Sequence, residues 1–166
     1  MTAARDRLSR LLRAGLFTGL SDGLFASVMS VVASGSTVTR LWQGVASVLL
    51  GIEAFNGGRR TALIGLLMHF GVAFGWSTVF LFLVSRVAWI RRLVASPYGL
   101  TKTAALYGPF IWMVMSLAVI PLLVHRPPAI TSRWWIQLLG HFPFVGLPIV
   151  ASIGTGSPRT DASRGR

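Results

Sequence analysis

The sequence has no cysteine, which removes disulfides, thiolate metal ligands and cysteine nucleophiles at once. It is nearly as poor in acid: four Asp and Glu stand against sixteen Lys and Arg. Charged residues make up 12% of the chain, about half of the ~25% usual for soluble domains. Phosphate-cradling loops, dinucleotide fingerprints, Ser-His-Asp sets and paired carboxylates are missing as well. No enzymatic activity is expected from these residues, and no cofactor.

What the chain does have is apolar length. Hydrophobic residues are 53% of its 166 positions, with 18 glycines besides. Four runs, Leu11–Ser34, Thr61–Ser85, Ala104–Val124 and Trp134–Ile153, each approach the roughly 20 helical residues that cross a ~30 Å hydrocarbon core. They lack the alternation of barrel strands, so helices are the way to satisfy their backbone in lipid. The expected fold is therefore all-α: a polytopic membrane protein, one four-helix domain over residues 1–154 and a basic polar tail over 155–166. The first run follows Arg5, Arg7, Arg10 and Arg13 like a signal peptide. It is longer than an h-region and carries Asp22, so it reads as a retained helix. Between the first two runs, Leu41–Phe55 is too short to span. Gln43, Ser47 and Gly51 mark one face of it and Trp42, Val45, Leu49 and Ile52 the other, the pattern of an interfacial or re-entrant helix.

A net charge of +12 in a soluble protein would suggest nucleic acid. Here the cations flank apolar runs instead of lining one face, so the bilayer is the expected partner and nucleic acid is not. Eleven of the sixteen lie on the N-terminus, the loop between spans two and three, and the tail. That excess predicts both termini in the cytoplasm. Trp134 and Trp135 then fall at the opposite interface.

Ionisable groups inside spans are functional candidates by default. Asp22, His69 and His141 all fall within runs. At 1.5 Å per residue, their depths from the non-cytoplasmic face are roughly 14, 12 and 10 Å, close enough for one polar layer. Such a layer would hold a haem or metal between two histidines, form a proton or substrate path, or act as hydrogen-bonding glue between helices. Gly15, Gly19 and Gly23 form a four-residue stripe on span one, and Gly71 and Gly75 a shorter one on span two. Such stripes let helices approach closely, in the same chain or another. Pro109, Pro121, Pro143 and Pro148 should kink spans three and four. Leu66-Leu67-Met68-His69-Phe70 also resembles Leu138-Leu139-Gly140-His141-Phe142, a trace of two parallel repeats.

Gly15, Gly19 and Asp22, then Leu50-Gly51 and Phe55 with Gly57-Gly58, then His69-Phe70, Leu106-Tyr107-Gly108 and Gly146-Leu147-Pro148 form a pattern that resembles a group of uncharacterised small bacterial four-helix inner-membrane proteins, distantly YagU-like. The resemblance covers most of residues 11–150 and implies a four-helix fold in the bacterial inner membrane, with no catalytic residue carried over. The expected role is that of an accessory subunit binding other membrane proteins, or its own copies, through the span-one glycine stripe. The host would be a larger assembly such as a respiratory or photosynthetic complex. The alternatives are a transporter or proton-path component using Asp22, His69 and His141, and a bis-histidine haem electron carrier.

Overall fold

The computed structural model describes residues 3–154, and all regular structure among them is helical. Helix α1 spans Ala3–Ser34, α2 Val38–Leu50, α3 Gly58–Arg86, α4 Ala88–Ala95, α5 Gly99–Val114, α6 Ile120–Val124, α7 Ser132–His141 and α8 Leu147–Gly154. Helices α5 and α6 run on through a π turn, Met115–Val119, and α7 and α8 through another, Phe142–Gly146. Four helical stretches, Ala4–Ser34, Gly58–Arg86, Gly99–Val124 and Ser132–Gly154, are long and apolar enough to cross a membrane. The tail expected over 155–166 lies outside the described residues.

The exterior is as apolar as the core, unlike that of soluble domains. Leu20, Leu24, Leu67, Leu106 and Leu139 are 60–72% exposed. A water-soluble monomer rarely exposes so continuous an apolar surface. Small residues instead hold the helices together. A Cβ on Gly15 would fall 2.2 Å from the Phe74 ring and one on Gly19 2.4 Å from that of Phe70. The first stripe is thus lined by Phe70 and Phe74 of α3 and, at Gly23, by Trp42 of α2 and His69 of α3. Gly71 and Gly75 differ from the expectation: no described atom lies within 4 Å of a Cβ placed there. Residues four apart share a helix face, but that spacing does not choose which way the face turns, and α3 turns this one outward. The closest approaches are elsewhere. A Cβ on Gly65 would lie 1.8 Å from the Trp42 carbonyl oxygen, and those on Gly108 and Gly146 within 2.3 Å of the carbonyls of His141 and Ala104.

Two short helices close the ends of the bundle. Helix α2, capped by the Thr37 side chain accepting from the Arg40 amide, packs chiefly on α3. Its polar face is not simply solvated. Gln43 is buried, and its amide donates to the carbonyls of Gly58 at 3.1 Å and Phe55 at 3.4 Å. At the other end stands α4, in a stretch expected to be a loop. Ile90 and Val94 are buried and Arg91 and Arg92 exposed, an i, i+4 apolar pair with cations opposite. It joins the core cluster of Ala14, Phe80, Tyr107, Val145, Ile149 and Ile153. Trp134, expected at an interface, instead turns inward at 8% exposure, its indole donating to Ser116 Oγ at 2.9 Å, while Trp135 stays exposed.

Pro109 lies inside the unbroken helix α5, whereas the two π turns lie near the other prolines, Pro121 after the first and Pro143 and Pro148 at the second. Pro148 offers no N–H to the Phe144 carbonyl four residues back. Ser21 Oγ of α1 lies 2.6 Å from that carbonyl and equally near its own Phe17 carbonyl. Its single proton serves one at a time.

Candidate functional site

Asp22, His69 and His141 line one cavity of about 320 Å³, walled by α1, α2, α3, the α5–α6 span and the α7–α8 span. Each reaches it for a local reason. Asp22 sits one residue before Gly23, where the ring edges of Trp42 and His69 come within 3.4 Å of the position a Cβ would take. His69 lies one turn beyond Gly65 on α3, where α2 and α3 touch backbone to backbone. His141 ends α7, its carbonyl held against Gly108 of α5. The two stretches suspected of being repeats make different contacts: the His69 side chain reaches the Gly19 carbonyl, whereas it is the backbone carbonyl of His141 that lies against Gly108.

The hydrogen bonds assign the imidazole nitrogens. His69 Nε2 is 3.1 Å from the Gly19 carbonyl oxygen. A carbonyl only accepts, so Nε2 carries a proton and donates. That leaves His69 Nδ1 toward Asp22, 3.9 Å from Oδ2. At 3.9 Å the two are not hydrogen-bonded directly. His141 Nδ1 donates to the Gln137 carbonyl at 2.7 Å, leaving Nε2 as an acceptor. Trp42 tilts against His69 at a ring-centroid distance of 5.1 Å, and Trp112 against His141 at 4.8 Å. Two polar atoms of the lining, Thr18 Oγ1 and Asp22 Oδ1, are buried and have no hydrogen-bond partner among the described residues.

No protein-family model matches the chain, and neither a curated protein nor a solved structure matches it. The chemistry must therefore be read from the cavity. Among the described residues no group of three or more His, Asp or Glu is disposed to hold a metal ion. His69 has its Nε2 on the Gly19 carbonyl and its Nδ1 turned toward Asp22 at 3.9 Å. What the arrangement can do is hold protons. Asp22 and His69 form one acid–base couple, and His141 offers a second acceptor on the same cavity. Sequence reasoning missed Thr18, Gln137 and the three tryptophans Trp42, Trp76 and Trp112 of the lining. Thr18 lies four residues before Asp22 and Gln137 four before His141, the same-face spacing of a helix. That spacing was the available signal.

Proposed function

We propose that the chain is a small integral protein of the bacterial inner membrane, with both termini in the cytoplasm, that takes up and passes a proton through Asp22, His69 and His141. The observation that carries this reading is the convergence of the three side chains, from three separate spans, on one cavity with Asp22 and His69 3.9 Å apart. Intramembrane Asp and His residues are costly and mark proton relays in pumps and transporters. Nothing in the lining calls for bond-making chemistry, so the proposed role is not enzymatic. The family reading remains the YagU-like group of four-helix proteins suggested by the glycine and His-Phe pattern. In sealed liposomes carrying the purified protein and a trapped pH dye, an imposed potassium diffusion potential should drive proton entry. Asp22→Asn should abolish that entry. Entry no faster than in empty liposomes would end the proposal.

A second reading, an accessory subunit of a larger membrane assembly, is favoured by one observation. Gly71 and Gly75 leave a small-residue face of α3 uncovered among the described residues, the kind of surface a helix of another subunit or copy packs against. Gly75→Leu should then strip partners that co-purify in mild detergent with the unaltered chain. Identical co-purification from both would remove this reading.

A further inference from the structure

The cavity has a composition that proton transfer alone does not require. Three of the six tryptophans, Trp42, Trp76 and Trp112, form part of its wall beside Asp22. Among the described residues no Lys or Arg lines it. Of the two Asp22 oxygens, Oδ1 is buried without a hydrogen-bond partner, and so is Thr18 Oγ1 on a side chain 2% exposed. A buried polar atom without a partner is unfavourable, so both atoms favour an occupant that would use them. The volume of about 320 Å³ falls at the low end of small-molecule pockets. Aromatic faces attract cations through their ring quadrupole, most strongly for tryptophan, and cages of such rings recognise quaternary ammonium groups. With neither Lys nor Arg among the described residues of the lining and both histidines neutral, the Asp22 carboxylate repels anions and favours a single positive charge.

We propose that this cavity binds a small organic monocation of the ammonium class, its charge against Asp22 and the tryptophan faces and any hydroxyl toward Thr18. The inference shares Asp22 with the proton-path reading and rests on that reading only in this respect, since a bound cation would compete with a proton for the same carboxylate.

Choline is the probe, and its control is the uncharged carbon isostere in which a tert-butyl group replaces the trimethylammonium. Titrated into the full chain in nanodiscs, choline should give a saturable change in tryptophan fluorescence that the isostere does not. Asp22→Asn should weaken choline binding by about tenfold or more, as expected for loss of a desolvated charge partner. Trp112→Leu should weaken it by about threefold to tenfold, while Trp89→Leu, at an exposed position of α4 and not among the residues lining the cavity, should leave it unchanged. The unaltered chain decides the matter even if Asp22→Asn does not fold. No saturable choline response, or equal responses to choline and its isostere, would overturn the inference, as would unchanged choline affinity in folded Asp22→Asn. Proton entry into liposomes without choline keeps the two proposals apart. Flux without choline binding defeats only the cation site, and choline binding without flux defeats only the proton path.

Discussion

Gly65 has nothing in its sequence neighbourhood to set it apart from Gly71 or Gly75, yet the three positions have opposite tolerances. A methyl on Gly65 would strike the Trp42 carbonyl, which belongs to backbone and cannot swing aside, whereas one on Gly75 meets open space. Overpacking of this kind costs about 1–3 kcal/mol, and substitutions away from contacts stay within about 0.5 kcal/mol. Gly65→Ala should therefore lower the thermal midpoint of the detergent-solubilised protein, and Gly75→Ala should leave it in place. Comparable midpoints for the two would mean that α2 does not dock on α3 as described. The same scale shows what the sequence could and could not tell. Depth was readable for Asp22, His69 and His141, because rise per residue is constant along a helix. Rotation was not, because it depends on which glycine meets which backbone across the bundle. Hence the shared layer was visible in advance, while the Thr18 and tryptophan lining and the outward turn of Gly71 and Gly75 were not.

At the scale of elements, the four long runs were legible because about 20 apolar residues leave few other structures open to them in lipid. Helix α4 escaped because its charges, Arg91 and Arg92, were read only for orientation, while Ile90 and Val94 repeat for a single turn. Its burial is testable. Val94→Asp should destabilise the fold by burying an unpaired carboxylate, and Trp89→Asp, on an exposed position, should be tolerated. Equal tolerance of both, measured by yield of monodisperse protein, would detach α4 from the core. The π turn at Phe142–Gly146 yields a sharper expectation. If Ser21 serves the carbonyl that Pro148 leaves without a helical donor, Ser21→Ala should cost about 0.6 kcal/mol, up to about 1.7. It should cost less where Pro148→Ala has restored that donor. A double-mutant cycle with no coupling would sever the link.

For the whole molecule, the apolar exterior argues for lipid outside, and the few buried polar side chains gather on a small hydrated or occupied cavity inside. The orientation proposed from the Lys and Arg distribution predicts that reporter fusions at Gly57, beyond α2, and at Ser96, beyond α4, report opposite sides of the membrane. The same side for both would remove the four-span topology. The account turns, however, on Asp22 and His69 acting as one acid–base unit. The chain has only three histidines, His69, His125 and His141, so nitrogen NMR of histidine-labelled protein in bilayers resolves each ring. In the unaltered protein His69 should show a hydrogen-bonded, protonated Nε2, and His141 a protonated Nδ1. Asp22→Asn should shift the Nδ1 signal of His69 while leaving that of His125 where it was. An His69 spectrum indifferent to Asp22→Asn at every pH would contradict the couple and the function built on it.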